Sequence, residues 1–520
     1  MPVDQTAVRG AGGLVAWRDQ VARQVTRVLD AGDTVLARPW AWIGAIIGVL
    51  SLQTVLTMRH SAWLDEWQAL QIAVQSPAMS DLFTNLRYEG HPPLWYLILR
   101  GLGAVLHDQA RALPLAALVI ALPLQLTILL AAPLRRIDRV MLALSEFVLF
   151  EYGTVSRSLS LGVALMIVTM ALWRRRRWPW VTIALLPLCD FWFGVISILF
   201  VALRMREQRL HGPLAALWIA AAMVAAWTVR PLPDMVPAIV PPALWRSFAT
   251  WMADTGTLGL PLQWHFWAPE WNNPPPLGLG GLAAAGFAAL VWIELRHDRM
   301  KLAAFGAITL MTLGFSLWIY PLAVRHLMVL AIVLICLVWH GCLAPHGTTR
   351  RPTVWFSAWL LVAALCGLAT AAINLAIPFD RSQQAVALIA QLGLRDKTWV
   401  SFPRYTRQGI AALSAMPFER LGDHCSEVFI RWNDRAEKQV QNIPALYRAL
   451  GAKRDVDGRF YFISTLTIPP VPGLLRQIGK VDGGYDGQDF VLYVVGENRR
   501  DARPHGQSCI GPVAPLRVLP

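Results

Sequence analysis

Charge is scarce in this chain. Of its 520 residues, 15% are Asp, Glu, Lys or Arg while 55% are apolar, a ratio that excludes a disordered polymer and a set of ordinary soluble domains. Cysteine is scarce too: the six present show no spacing that resembles a zinc site, and they are too few for a disulfide scaffold. Acidic residues number 33 against 47 Lys and Arg, for a net charge of +14. Such an excess could point to nucleic acid, but the arginines sit in short runs between apolar segments, where they mark cytosolic loops; no nucleic-acid partner is expected. Asp4, Arg9, Arg18 and Asp19 interrupt any early apolar run, so no signal peptide is expected. There is also no Walker sequence to hold ATP, and no internal repeat of the kind many transporters carry.

What remains is apolar length. A bilayer span takes about 20 apolar residues, and roughly a dozen such windows are present, so the sequence predicts a polytopic α-helical membrane protein. Residues 1–38 form a cytosolic segment in which Leu14, Trp17, Val21, Val25 and Val28 share one helical face, suited to the membrane surface or to a partner helix. Residues 39–377 form the membrane domain, and 378–520 a soluble α/β domain. Basic clusters at 135–139, 174–177, 204–209, 296–301 and 350–351 orient eleven crossings. These fall near 40–58, 112–133, 140–152, 154–173, a hairpin within 179–203, 213–229, 277–295, 301–320, 322–340 and 353–376. The N-terminus is then cytosolic and the C-terminal domain outside. Residues 93–109 are apolar but short, carry Arg100, and are expected to be re-entrant, with a full crossing as the alternative.

Two loops face outward. Residues 59–92 are polar, and 230–276 hold ten prolines and five tryptophans, a composition suited to rigid coverage at the interface. In the tail, 398–402, 427–430, 460–464 and 490–495 read as strands and 381–393 and 436–450 as helices. Cys425 and Cys509 lie there, where an exported location permits a disulfide but sequence does not fix the pairing. Cys189, Cys336, Cys342 and Cys366 lie in or beside apolar segments as small core residues.

The first outer loop carries the chemistry-bearing residues. It begins Trp63-Leu64-Asp65-Glu66-Trp67 and ends Tyr88-Glu89-Gly90-His91-Pro92-Pro93-Leu94-Trp95-Tyr96. Adjacent carboxylates repel, so one holds a proton more tightly while the other can take one from a hydroxyl; solvated loop charges are the plain alternative. His91-Pro92-Pro93 stiffens the chain where it re-enters the membrane.

An Asp-Glu pair after the first span, closed by His-Pro-Pro-Leu and an aromatic helix, resembles the membrane-embedded glycosyltransferases of the C fold class. The nearest branch holds protein O-mannosyltransferases and the enzymes that add aminoarabinose, mannose or galacturonic acid to lipid A and related glycans. The order of motifs is similar throughout. Arg111-Ala112-Leu113-Pro114 resembles the family's Arg-Leu-Pro helix start. Tyr152 with Ser156-Arg157-Ser158-Leu159 resembles its aromatic and Arg-Ser-Tyr-x-Leu, and Arg325-His326-Leu327 its Arg-Tyr-Leu. Leu159 and His326 depart from the usual aromatic residues, which bears on the sugar more than on the fold.

The resemblance implies 11–13 transmembrane helices and an enzyme of a bacterial inner membrane with its C-terminal domain in the periplasm; Arg- and Ala-rich usage points to a Gram-negative source. It implies a polyprenyl-phosphate sugar as donor and a lipid, glycan or protein as acceptor, with inversion at the anomeric carbon. Asp65 is then the base, with Glu66 and His91 beside it. Tyr88, Glu89, Tyr96, Tyr152, Arg157, His265, Arg325 and His326 are the expected substrate-binding residues, with Arg157 and Arg325 on the lipid phosphate. Snorkelling to headgroups is the plain reading of those arginines. No resident cofactor is required, although His265 could join Glu89 or His91 around a divalent ion. Glu146, inside a span, is either functional or paired with Arg100, and Asp190 is similarly open. A flippase of lipid-linked sugars and a non-catalytic accessory subunit are the competing functions. Gly278-Leu279-Gly280-Gly281-Leu282-Ala283 fits a dinucleotide fingerprint formally, but it follows three prolines and opens a span, so it reads as small residues for close helix packing.

Overall fold

The computed structural model describes residues 5–207, 212–236, 243–262, 270–343 and 351–518. Among them, seven helices are long and apolar enough to cross a membrane: Pro39–Arg59, Gln109–Ala131, Gly212–Val229, Leu277–Leu295, Arg299–Trp318, Val324–Cys342 and Val354–Ala376. The most apolar window of Val324–Cys342 is 89% buried, which makes it the centre of the bundle, whereas Pro39–Arg59 and Gly212–Val229 are only 22% and 17% buried. Those two peripheral helices expose Ile43, Ile47, Val55, Ile219, Met223 and Trp227. Such an apolar belt is unfavourable in water and favourable in lipid, and it supports membrane insertion.

The eleven expected crossings are therefore not all full-length helices. The segment expected at 140–152 is a helix at Arg136–Leu144 followed by a wide turn at Glu146–Glu151. Ser145 makes the break: its hydroxyl donates to the Leu142 carbonyl at 2.7 Å and accepts from Val148 N–H at 3.4 Å, competing with the helical ladder. Hydropathy registers composition and is blind to such a break. The next segment is a helix only over Ser158–Ala171, and the expected hairpin consists of Trp178–Leu188 and Phe191–Glu207. Leu94–Val105 has 12 residues, or about 18 Å at 1.5 Å per residue, short of the ~30 Å hydrocarbon layer.

Both expected outer loops contain helices among the described residues. The first folds into helices Leu64–Gln75 and Met79–Glu89. The second contains the helix Leu244–Gly259, and its tryptophans diverge: Trp251 and Trp271 are buried while Trp245 is 72% exposed. Trp264 and Trp267 lie outside the described residues. At the N-terminus, Gln5–Leu36 is one helix whose Leu29 is buried and whose Val28 is exposed.

The tail is a six-stranded sheet, ordered β3-β2-β1-β4-β6-β5, with β1 at Trp399–Ser401, β2 at Phe418–Glu419, β3 at Ser426–Glu427, β4 at Phe460–Ser464, β5 at Leu475–Val481 and β6 at Phe490–Val495. β1 is parallel to β2 and β4; the other pairs are antiparallel. Side chains alternate across the sheet. Tyr461, Ile463, Leu492 and Val494 meet Ala385 and Ile389 of helix Ser382–Gln391 on one face. Phe460, Phe462, Val491 and Tyr493 meet Leu446 and Leu450 of helix Ile443–Asp457 on the other. The expected strand at 427–430 is shifted to Ser426–Glu427, and the expected helix at 436–450 starts properly at Ile443. β5 escapes the sequence pattern because it is an edge strand of largely polar residues with an irregularity at Gln477 and Gly479. Cys425 and Cys509 are joined by a disulfide.

The glycine-rich start of Leu277–Leu295 packs against Leu244–Gly259. A Cβ on Gly256 would lie 2.5 Å from Gly280 Cα, whereas one on Gly278 or Gly281 would meet nothing within 4 Å. Close backbone contact thus depends on Gly256 and Gly280. Gly256→Val should destabilise the protein by about 1–3 kcal/mol, the range for overpacking, and Gly281→Ala should be neutral. Thermal unfolding in detergent checks both.

Candidate functional site

The helix Leu64–Gln75 starts where Glu66 is held. One Glu66 oxygen accepts from Trp63 N–H at 2.8 Å and faces His60 Nε2 at 2.9 Å. The other accepts from Ser156 N–H at 2.7 Å. Glu66 is 1% exposed, so it couples the first outer segment to the turn that precedes Arg157. Of the two roles expected for Glu66, orienting Asp65 or binding sugar, the engagement of both its oxygens by the protein favours the first.

Asp65, one residue earlier, points elsewhere. Its side chain is 30% exposed and its Oδ2 lies 2.6 Å from Arg157 Nη2 and 3.4 Å from Arg325 Nη2. Both guanidiniums lie over the Trp63 ring, at 5.5 and 5.2 Å, and Arg325 also lies 5.5 Å from the Trp271 ring. These contacts favour the cations electrostatically. Trp63 and Trp271 meet edge to face at 4.7 Å, and Trp271 Nε1 donates to Glu151 at 3.0 Å. Arg157 Nη1 and Arg325 Nε are buried donors with no hydrogen-bond partner among the described residues. Buried guanidinium donors left in this way favour an added anion. Both arginines are thus turned to Asp65, at 11% and 10% side-chain exposure.

The loop's end converges on the same region. His91 Nδ1 lies 3.2 Å from Asp190 Oδ2, which is also 3.4 Å from the Ser158 hydroxyl. Burial alone would lower the His91 pKa, but the hydrogen bond and charge of Asp190 outweigh it and the net direction is upward. Glu89 accepts from Gln68 Nε2 at 2.6 Å and from Trp432 Nε1 at 3.2 Å. Burial pushes its carboxyl up from 4.5 to about 7, and Asp65 and His91 both lie within electrostatic reach of it, pulling in opposite directions.

The remaining expected residues divide. Tyr152 is buried and donates to the Arg325 carbonyl at 2.7 Å, so it positions that arginine. Tyr96 is buried, with its ring 6.5 Å from that of His91. Tyr88 donates to Asp234 at 2.7 Å and lies under Arg431, a tie between the two outer segments. His326 accepts at Nδ1 from Ala323 N–H at 3.3 Å, and the charges of Arg325, Arg157 and His91 lie within electrostatic reach of its ring. His265 lies outside the described residues. Arg100 donates to the carbonyls of Ala73, Ser76 and Pro77 and so closes a helix end.

Sequence reasoning missed the contribution of the tail. Gln68 bonds both N–H and carbonyl of Ile430, Gln71 the Val428 carbonyl, and Gln75 the Ala514 carbonyl. Gln408 also donates to Gln68. The spacing 68, 71, 75 is one helical face, and three glutamines on it were the available signal. Trp432, delivered by this docking, has no local signal.

No family model, curated protein or solved structure matches this chain.

The raised Glu89 carboxyl has a measurable consequence. The folded protein binds this proton more tightly than the unfolded chain does, so the cost of Glu89 to folding is absent below about pH 4.5 and grows as pH climbs through about 7. Glu89→Gln removes that cost. The variant's unfolding free energy should therefore gain on wild type between pH 5 and pH 8, by on the order of 1 kcal/mol after allowance for partial exposure, read from denaturant unfolding at each pH; a pH-independent difference would contradict the assignment.

Proposed function

We propose that this chain is a membrane glycosyltransferase of the C fold class, moving a sugar from a polyprenyl-phosphate carrier to a hydroxyl of a lipid, glycan or protein at the outer face of a bacterial inner membrane. The observation that carries this reading is the convergence of Arg157 and Arg325 on partly exposed Asp65, with a buried donor unused on each arginine.

In this reading the donor phosphate competes with Asp65 for the two guanidiniums. As they turn to the phosphate, Asp65 Oδ2 is freed to accept the proton of the acceptor hydroxyl. The acceptor oxygen bonds to the anomeric carbon through an oxocarbenium-like transition state, the bond to the phosphate oxygen breaks, and polyprenyl phosphate leaves with inversion. Asp190 and His91 line the same region and suit sugar hydroxyls, while Trp63 and Trp271 hold the arginines in a dry, preorganised arrangement. The finer topology belongs to the proposal too: shorter helices such as Leu94–Val105 and Ser158–Ala171 complete the bundle beneath the site, and the C-terminal domain is periplasmic. The Cys425–Cys509 disulfide supports an oxidising compartment.

Purified protein incubated with labelled polyprenyl-phosphate sugars should form product. Asp65→Asn should lower turnover at least about a hundredfold, the scale of a lost general base, while donor binding persists. Arg157→Lys and Arg325→Lys keep charge but lose the two-pronged geometry and should impair turnover clearly. Near-wild-type turnover in Asp65→Asn would overturn the role of Asp65, and full activity in both lysine variants would move the phosphate elsewhere.

Orientation is tested separately. Ser76 and Ser401 are buried and unsuited to labelling, but Leu466 and Arg175 are exposed. In intact spheroplasts an impermeant thiol reagent should modify Leu466→Cys and spare Arg175→Cys; the reverse pattern would invert the topology.

A further inference from the structure

The tail brings together three side chains that are far apart in sequence. His424 precedes a disulfide cysteine, Asp457 ends the helix Ile443–Asp457, and His505 lies in the segment leading to Cys509. One ligand atom from each falls within 4.8 Å of the others. Asp457 Oδ1 is 3.3 Å from His424 Nδ1 and 3.9 Å from His505 Nε2. Metal–ligand bonds of about 2.0–2.2 Å in a tetrahedron separate ligand atoms by about 3.3–3.5 Å, so the cluster needs only small side-chain adjustments to close on an ion.

Two further features fit a cation. His505 Nδ1 lies 3.0 Å from Glu419 Oε1, the arrangement in which a carboxylate accepts the ring N–H and leaves Nε2 with its lone pair free for a metal. The far oxygens of Glu419 and Asp457 share a single ammonium, Lys453 Nζ, at 2.9 and 2.8 Å. Two carboxylates against one lysine leave one negative charge beside the two imidazoles. Lys453 occupies the Asp457 oxygen turned away from the histidines, so it fixes that carboxylate without blocking Oδ1. His424 and Lys453 also line an adjoining cavity of about 560 Å³ together with Arg448.

We propose that His424, Asp457 and His505 bind one divalent transition-metal ion of the nitrogen- and oxygen-preferring kind typified by zinc. Two imidazoles and one carboxylate suit that class over calcium or magnesium, which prefer all-oxygen shells. Three protein ligands leave a fourth position for water or an anion, and the cavity with Arg448 and Lys453 offers room and positive charge for the anion. The site is in the soluble domain and is independent of the chemistry at Asp65. The sequence hid it because the ligands come from three separate segments, with none of the short spacings that mark metal sites.

The test uses full-length protein purified without reductant, so that the disulfide is kept, with any affinity tag removed and metal stripped by chelation. Titration with Co2+ should give one equivalent bound with visible d–d absorption of a low-coordinate site, displaced by Zn2+. His424→Gln, at a largely exposed position that tolerates substitution, should abolish that absorption, and so should His505→Gln. Glu419→Gln should keep the spectrum but weaken binding about 10–100-fold, the usual effect of losing the carboxylate behind a histidine ligand. Absence of Co2+ uptake by wild type overturns the proposal, as does an unchanged stoichiometry and spectrum in the His424→Gln, His505→Gln double variant.

Discussion

The buried carboxylate of Glu66 sets the geometry of everything around the candidate site. It takes the backbone N–H of Trp63 and that of Ser156, 90 residues beyond Glu66 itself, together with the His60 ring. A buried carboxylate without partners would be costly, so the chain segments that supply them are fixed relative to one another. Asp65 and Arg157 are the immediate neighbours of these anchored positions, and their 2.6 Å contact follows from the anchoring. Tyr152 performs the same service for Arg325 through its carbonyl. The candidate site is thus a pair of charges held in place by a second, fully satisfied carboxylate beneath.

The tail completes this arrangement from above. Gln68, Gln71 and Gln75 bond to tail backbone, which satisfies polar groups that docking would otherwise bury unpaired. Trp432 reaches Glu89 through this contact, so a carboxylate of the first outer segment is tuned by the C-terminal domain. The last residues return to the membrane domain, where the Arg517 carbonyl accepts from Gln109 N–H and Arg517 N–H donates to the Gln109 side-chain Oε1. The two regions form one structural unit at this end of the bundle.

Within the tail itself, charge is buried in quantity. Glu427 is fully buried among Arg404, Arg407 and Arg420. Burial alone would raise its carboxyl, but the three guanidiniums hold it below the ordinary range. Such a network fixes geometry more than it adds stability. It secures the strand beside Cys425 and the segment reaching toward Gln68, and so holds the docking surface rigid.

Composition and periodicity determined the class of this protein, because apolar windows and alternating strands are local properties of the chain. β4 and β6 were legible to the residue, and the seven long spans to within about three residues at each end. The motifs at 63–67, 88–96, 157 and 325 also located Asp65 and both arginines, since each motif is contiguous. Tertiary structure decided which carboxylate faces the arginines: Asp65 and Glu66 are adjacent and chemically alike, and only the partners supplied by His60 and Ser156 separate their roles. It likewise decided that the span expected at 140–152 breaks at Ser145, where one hydroxyl redirects the backbone. Contacts such as Gln68 with Ile430, or His424 with Asp457 and His505, join residues by folding alone, and local pattern carries no record of them.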